Sequence, residues 1–199
     1  MSAVIAYVDG GKVYFATDTQ RTSGSFRYSA AAPTSANVFF MPHGVLCSAV
    51  RSQKIKQIIM AHPEWFDGLA EQPLTKQYVL ENILPDLYEF MDGFELVNEE
   101  SKKNGITEFE GAILLAQKDT LLCIDGDFSV IVIPKFCIIG SDPAYCYARV
   151  ASYHHEIELK EMLLGALLDV KKYCNTVSAP YYLYVTDSEE KELLGGKRG

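Results

Sequence analysis

The chain begins MSAVIAYVDGGKVYFATDTQRTSG over residues 1–24. Residues 3–8 form an unbroken apolar run, and residues 12–17 alternate between apolar and polar side chains. The Asp9-Gly10-Gly11 sequence between them is a turn signal, because glycine accepts the positive φ of a tight hairpin turn. We therefore expect the chain to start with two antiparallel strands, the second of which ends next to Asp18.

Beyond this hairpin, strand and helix patterns occur in groups. Apolar runs bounded by turn residues predict strands at 38–41, 45–50, 111–117, 120–125, 128–133 and 181–186. Helical spacing predicts helices at 54–62, at 74–91 with a split at Pro85, from Pro143 with Tyr147, Val150 and Ala151 facing inward, and at 159–173. Residues 19–36 show little periodicity and predict a long loop or an irregular extended segment. Such grouping favours an α+β fold, with helices outside antiparallel sheets, over a doubly wound fold.

Length and composition limit the class of protein. The chain has 199 residues, 48% apolar and 22% charged, which is typical of one globular domain over 1–199, and 188–199 predict a flexible tail. The formal net charge of −8 gives no basic excess, so we expect no nucleic-acid partner. No apolar run approaches the roughly 18 residues of a membrane span, and Asp9 comes too early for a signal peptide. We therefore expect a cytoplasmic protein with no membrane contact.

The cysteine and histidine pattern predicts neither a disulfide framework nor a metal site. Five cysteines are scattered without a C-x-x-C pair, as in proteins of a reducing compartment. The close pair His154 and His155 would point to different faces of a helix. The sequence also lacks the Walker, G-x-G-x-x-G, G-x-S-x-G and H-E-x-x-H motifs, so we expect no metal and no cofactor.

Ser2 is the candidate nucleophile that remains. A small residue after Met commonly permits removal of the Met, which would leave a serine with both a hydroxyl and a free α-amine. An α-amine, with an ordinary pKa of about 7.7–8.0, can act as the base for its own hydroxyl. The simpler alternative is that Ser2 is an ordinary second residue.

The opening of the chain resembles the start of a proteasome β-type subunit and of its bacterial ring-protease relatives. The resemblance is carried by Ser2, the Gly10-Gly11 turn, the Ala16-Thr17-Asp18 strand end and Thr22-Ser23-Gly24. Asp18 lies sixteen residues after Ser2, which is the spacing that this family uses. A weaker likeness continues through residues 38–50 and beyond.

This resemblance implies a four-layer αββα sandwich of two antiparallel sheets between helix layers, the fold of the N-terminal-nucleophile (Ntn) hydrolases. Ser2 would be the nucleophile, Asp18 would orient a catalytic lysine, and Thr22 would contact the substrate backbone. Ser141 and Ser178 would match the serines that hydrogen bond the α-amine of the nucleophile. Because the family assembles into rings, the resemblance also implies a homo-oligomer that acts on peptides.

Three positions depart from the family pattern. No lysine occurs in residues 13–53, and Asn37 falls at the position of the catalytic lysine. Arg51 falls where the N–H of a glycine would form the oxyanion hole, so Arg51 is a candidate substrate contact. Asn175 replaces an aspartate three residues before Ser178.

Two functions are compatible with this pattern, and a third interpretation is weaker. The chain is a peptidase or amidohydrolase in which Ser2 attacks a carbonyl, or it is a catalytically silent, ring-forming scaffold of the same fold. The weaker interpretation is a binding protein whose likeness is confined to the opening hairpin. Asp18 can also be a simple turn residue, and Ser141 can simply cap a helix.

Overall fold

The structure is a computed structural model in which most of the chain is described. The described residues are 2–23, 26–29, 37–105, 107–140, 142–188 and 190–195, with the backbone alone over 20–23 and 26–29. Two predicted site residues are affected, since Ser141 lies outside the described residues and so does the side chain of Thr22. No helix within the described ranges is long and apolar enough to cross a membrane.

The first five-stranded antiparallel sheet is built around the opening hairpin. In spatial order its strands are β10 (Phe136–Gly140), β1 (Ala3–Asp9), β2 (Lys12–Asp18), β11 (Tyr181–Val185) and β12 (Glu192–Leu194). The prediction of two paired strands at the start is confirmed. β1 is hydrogen bonded on both sides, with Ala3 opposite Gly140 in β10 and Val4 opposite Thr17 in β2.

The second five-stranded sheet is an antiparallel meander. Its strands, in spatial order, are β5 (Val38–Met41), β6 (Val45–Val50), β7 (Ala112–Gln117), β8 (Thr120–Ile124) and β9 (Val130–Val132). All five were expected from apolar runs between turn residues, and the strand predictions at these places are confirmed.

A separate two-stranded ribbon corrects the prediction over 20–23 and 26–29, where a loop or an irregular extended segment was expected; residues 24, 25 and 30–36 lie outside the described part of the chain. Its strands are β3 (Gln20–Ser23) and β4 (Phe26–Ser29), which pair only with each other among the described strands. The two strands have four residues each; QRTS in β3 has no apolar residue, and FRYS in β4 alternates over too few residues to predict a strand. Its pairing therefore depends on backbone hydrogen bonds that the side-chain pattern does not indicate.

Helices cover the outer face of each sheet. They are α1 (Gln53–Ala61), α2 (Lys76–Asn82), α3 (Leu84–Gly93), α4 (Glu99–Lys103), α5 (Ala144–Ala151) and α6 (Leu159–Tyr173). A 3-10 helix, Pro63–Ala70, follows α1. Pro85 lies in the first turn of α3, where proline is tolerated, and the predicted split of this helical region is confirmed.

Three apolar clusters fill the spaces between four layers. One packs α1, α2 and α3 against the second sheet, and another packs α5 and α6 against the first sheet. The third lies between the two sheets and includes Val4, Phe15 and Leu114. The architecture is therefore the four-layer αββα sandwich expected from the resemblance.

The helix α5 has a different buried face from the one predicted. Tyr147 is 57% exposed and Ala151 is also exposed, so the expectation that both face inward is wrong. The buried residues are Cys146 and Val150, which are four positions apart and therefore share one helical face.

Two strands of the first sheet were not expected from the sequence. Pro134 and Lys135 interrupt the apolar run before β10, yet β10 pairs with β1 along its whole length. Part of the segment 188–199, for which the sequence predicts a flexible tail, forms β12, where Leu194 is buried against the helix layer. Both strands are edge strands of the sheet, where pairing with one neighbour is enough.

Candidate active site

Ser2 lies immediately before β1, in a position that the strand fixes. The side chains of Ala3, Val4 and Ile5 are completely buried, and apolar clusters pack against both faces of the strand. Ser2 itself is only 8% exposed. Because β1 also has hydrogen-bonded neighbours on both sides, the backbone of Ser2 has little freedom to move.

Asp18 ends β2 and holds two distant segments together. Its carboxylate is buried, with Oδ1 accepting the N–H of Ala3 at 3.1 Å and Oδ2 accepting the N–H of Ser178 at 3.4 Å. These partners lie 15 and 160 residues away in sequence. The carboxylate therefore joins the start of β1 to the segment before β11. Asp18 is not simply a turn residue that hydrogen bonds its own backbone.

Thr17 and Asn37 form a second set of buried hydrogen bonds beside Asp18. Thr17 Oγ1 donates to the carbonyl oxygen of Ala3 at 2.9 Å and accepts from Asn37 Nδ2 at 3.3 Å. Sequence reasoning assigned no role to Thr17. The available signal was a polar side chain near the end of a strand that is otherwise buried.

The side-chain amide of Asn37 lies beside Asp18 and is an uncharged hydrogen-bond donor. Its Nδ2 donates to the backbone carbonyl oxygen of Asp18 at 2.8 Å, and Ser48 Oγ donates to the Asn37 carbonyl oxygen at 2.9 Å. An amide carries no charge, so Asn37 does not lower the pKa of a nearby hydroxyl in the way that an ammonium group does. This is the main chemical difference from a site that contains a lysine.

Gly140 brings β10 unusually close to Ser2. Its φ is +105°, and a Cβ at this position would lie 1.9 Å from the carbonyl oxygen of Ser2. Only glycine permits this approach. Ser141, the next residue, is outside the described part of the chain, so its predicted contact to the α-amine stays a prediction.

The segments that lead into α5 and out of α6 are tied together near the predicted serines. The thiol of Cys174, after α6, donates to Asp142 Oδ2 at 2.9 Å, just before α5. Ser178 is half-buried and reaches Asp18 through its main-chain N–H. Asn175 is exposed in the turn after α6. The structure therefore brings Ser178 to the site, and it places Asn175 in the segment that leads to Ser178.

Arg51 follows β6 and lies at the edge of a cleft near Ser2. Its φ is 73°, in the left-handed region that favours glycine, so the chain keeps a glycine-like backbone where the resemblance indicates a glycine. Arg51 also keeps a backbone N–H, as every residue except proline does. Arg51 and Gly140 both line a cleft of about 310 Å³.

Thr22 lies in β3, opposite Arg27 of β4. Its side chain is not among the described atoms, so the predicted contact to a substrate backbone stays a prediction.

The arrangement can hold a serine nucleophile in one orientation, with a carboxylate and neutral polar groups around it. Burial, and in addition the charge of Asp18, raise the pKa of Tyr181, which lies opposite Asp18 in the β2–β11 pair. No group of three His, Cys, Asp or Glu residues in the described ranges could hold a metal ion. The side chains of Ser2, Thr17, Asp18 and Asn37 offer hydroxyl, carboxylate and amide groups.

Solved structures of proteasome-like proteins share the fold. BPH of Thiobacillus denitrificans in complex with epoxomicin superposes with a TM-score of 0.68 at 15% identity, over 98% of this chain and 100% of that chain. Anbu (ancestral beta-subunit) from Yersinia bercovieri gives a TM-score of 0.70 at 13% identity, over 96% of this chain and 86% of that chain. Eukaryotic HslV from Trypanosoma brucei gives 0.63 at 14% identity, over 92% and 98% of the two chains.

No family model and no curated protein sequence matches the chain. The four-layer sandwich, with β1 and β2 carrying Ser2 and Asp18, is the architecture of the Ntn hydrolases. The chain has the proteasome-type form of this fold, since the three structures agree with it over nearly the whole length. The resemblance predicted from the opening residues is confirmed at the level of the fold.

Proposed function

We propose that this protein is an N-terminal-nucleophile peptidase in which Ser2 attacks a peptide carbonyl. The observation that carries the proposal is the pair of side-chain hydrogen bonds to Ala3, whose N–H is accepted by Asp18 and whose carbonyl oxygen is bonded by Thr17. The N–H of Ala3 belongs to the same peptide group as the Ser2 carbonyl, so its hydrogen bond to Asp18 fixes the orientation of that peptide group. A nucleophile that is already held in one orientation loses less conformational entropy when it reaches the reactive geometry.

In the proposed reaction, Ser2 supplies both nucleophile and base once the residue before it has been removed. Its α-amine takes the hydroxyl proton as Oγ bonds to the carbonyl carbon, and a tetrahedral oxyanion forms. The backbone N–H of Arg51 is the candidate donor to this oxyanion. The ammonium group then gives its proton to the leaving amine as the C–N bond breaks, and water hydrolyses the resulting ester with the same amine as base.

Asn37 favours a second candidate function, a catalytically silent scaffold of the same fold. Its amide bonds the main chain of Asp18 and the hydroxyl of Thr17, and so fills this place with a neutral group. Without a cation there, the hydroxyl of Ser2 lacks one of the means by which a serine is activated. The two functions differ in whether Ser2 reacts, and an electrophilic probe can distinguish them.

The test uses protein in which proteolytic removal of a fusion partner leaves Ser2 as the first residue. Epoxomicin, the compound bound in one of the similar structures, is added, and the intact mass is measured. We expect one adduct per chain, absent from Ser2→Ala and from protein that retains Met1. Ser152→Ala is the matched control, because Ser152 is an exposed serine after α5 and should not affect labelling.

Two further variants decide between the candidates. Unlabelled protein in both the Ser2 form and a Ser2→Thr form would overturn the peptidase proposal. Asn37→Lys then restores a cation beside Asp18, and an adduct that appears only in this variant would support the silent scaffold. An adduct on the unaltered Ser2 form would overturn the scaffold.

We further propose that the chain assembles into a homo-oligomeric ring, as its resemblance to ring-forming proteins implies. The α5 and α6 layer exposes Tyr145, Tyr147 and Tyr173, and tyrosine is favoured in interfaces that are partly apolar and partly wet. Native mass spectrometry tests the proposal, since one discrete multiple of the chain mass would support it and a monomer would contradict it. A cytoplasmic location and the lack of a nucleic-acid partner stay predictions.

A further inference from the structure

The cleft beside Ser2 combines an apolar lining with one ion pair. Gly140 lines it, and the close approach between Gly140 and the Ser2 carbonyl places the cleft next to the candidate nucleophile. The remaining lining residues come from the end of β6, the segment before β7, the start of β7 and β10; they are Val50, Arg51, Phe109, Glu110, Gly111, Ala112 and Ile139. At about 310 Å³, the cleft has room for a single amino-acid side chain and its main chain.

Among the described residues that line this cleft, Arg51 and Glu110 carry the charges. Arg51 Nη1 lies 3.0 Å from Glu110 Oε1, and the two side chains are 47% and 81% exposed, respectively. Val50 and Gly111, which both line the cleft, are in close main-chain contact, because a Cβ on Gly111 would lie 2.6 Å from the Val50 carbonyl oxygen. The backbone that carries Arg51 is therefore held in place, while Glu110 extends into solvent.

The contact with Glu110 shows that the guanidinium of Arg51 binds a carboxylate in this cleft. A guanidinium has five N–H donors, arranged so that it can donate two parallel hydrogen bonds to a carboxylate. The contact described for Glu110 uses one nitrogen of Arg51. Because exposed ion pairs contribute little net free energy, another carboxylate can replace that of Glu110 at small cost.

We propose that Arg51 binds a carboxylate of the substrate, so that the peptides preferred by this site carry aspartate or glutamate next to the bond that Ser2 attacks. The inference rests on the proposed peptidase function. It adds a substrate class, acidic peptides, and it gives Glu110 the role of an internal carboxylate that leaves Arg51 when substrate binds. A glutamine in place of the glutamate has nearly the same shape but no charge, so it should bind less well.

Hydrolysis of matched fluorogenic peptides tests the preference. The peptides differ only in having Glu, Gln or Lys before the scissile bond, and the protein again has Ser2 as its first residue. We expect kcat/KM to be about two- to fivefold higher for Glu than for Gln, the range that a partly exposed ion pair supports. Arg51→Gly should abolish this difference, and its backbone should be accommodated because φ at residue 51 suits glycine. Glu110→Gln should increase kcat/KM for the Glu peptide, since the internal competitor is removed.

A binding measurement keeps the inference separate from the proposed function. Ser2→Ala protein is titrated with N-acetyl-glutamate amide and with N-acetyl-glutamine amide, and heat of binding is recorded. Preferential binding of the glutamate compound that Arg51→Gly removes supports the carboxylate site, even if no peptide is cleaved, in which case only the peptidase proposal fails. Cleavage with equal kcat/KM for Glu and Gln, or equal binding of the two amides, overturns the inference while leaving the peptidase proposal intact.

Discussion

The carboxylate of Asp18 accepts the backbone N–H of Ala3 at 3.1 Å, although the two residues are 15 positions apart. The hairpin turn between β1 and β2 brings them together, so the hydrogen bond depends on the same strand pairing that positions Ser2. Asp18 therefore anchors the start of β1. This anchoring can be tested through the free energy of unfolding, without a substrate.

Asp18→Ala should lower the free energy of unfolding by about 2 kcal/mol, because two N–H groups, those of Ala3 and Ser178, lose their acceptor. Asp18→Asn should cost about 1 kcal/mol, since one side-chain oxygen remains. Urea unfolding followed by circular dichroism measures both changes. Asp67→Ala, at an exposed aspartate, is the control, and equal destabilisation by Asp18→Ala and Asp67→Ala would contradict the anchoring role.

Gly140→Ala should destabilise the fold by at least about 3 kcal/mol, because the new Cβ would overlap the Ser2 carbonyl oxygen. Gly10→Ala is the matched control, since Gly10 also has positive φ but has no atom within 4 Å of the added Cβ. The control should cost only the left-handed strain of about 1 kcal/mol. Thermal unfolding of the two variants compares them, and similar losses in both would show that β10 does not approach Ser2 closely.

Cys137 should be the cysteine that is alkylated fastest. Its interaction with Cys123 lowers the pKa of Cys137 and raises that of Cys123, whereas burial raises the pKa of Cys146 and of Cys174 to about 11. A lower pKa gives more thiolate, the reactive form, at neutral pH, and Cys137 is also the least buried of the five.

Iodoacetamide labelling at a series of pH values, followed by peptide mass spectrometry, measures this order of reactivity. The labelling rate of Cys137 should reach its plateau at a lower pH than that of the other cysteines. In Cys123→Ala the side-chain hydrogen bond between Cys123 and Cys137, which lowers the pKa of Cys137, is lost, so the plateau should move to higher pH. An unchanged pH profile for Cys137 in that variant would show that Cys123 has no influence on it.

Tyr181→Phe should raise the free energy of unfolding by about 1 kcal/mol. The hydroxyl of Tyr181 is buried without a hydrogen-bond partner among the described residues, and such a group costs about 1–3 kcal/mol. Tyr78→Phe is the opposite case, because Tyr78 Oη donates to the Trp65 carbonyl oxygen at 2.8 Å, and it should lose about 1 kcal/mol. Denaturant unfolding gives both values, and a loss of stability in Tyr181→Phe would mean that its hydroxyl has a partner.

Most of the fold was predictable because turn residues and helix periodicity act over short distances. The Asp9-Gly10-Gly11 turn predicts the first hairpin, and Pro85 predicts the division between α2 and α3. β10 was missed because Pro134 and Lys135 interrupt the apolar run before it, so no local pattern marked a separate strand. The inward face of α5 was also wrong, since apolar character alone did not distinguish Tyr147 from Val150.

The candidate site was less predictable than the fold. Ser2 and Asp18 were found through their spacing, but the contact that links them passes through the main chain of Ala3 and depends on strand register. Thr17 was overlooked for the same reason. The left-handed backbone at Arg51 has no sequence signal, because an arginine does not indicate positive φ.

The double pairing of β1 has a consequence for how the molecule opens. Amide hydrogens of a strand with two hydrogen-bonded neighbours and buried faces exchange with solvent mainly through global unfolding. Ser2 is therefore attached to a strand that opens only when the whole protein unfolds. Any molecule that engages Ser2 has to adapt its own conformation to this rigid strand, so compounds already constrained in an extended shape should be captured faster than flexible ones.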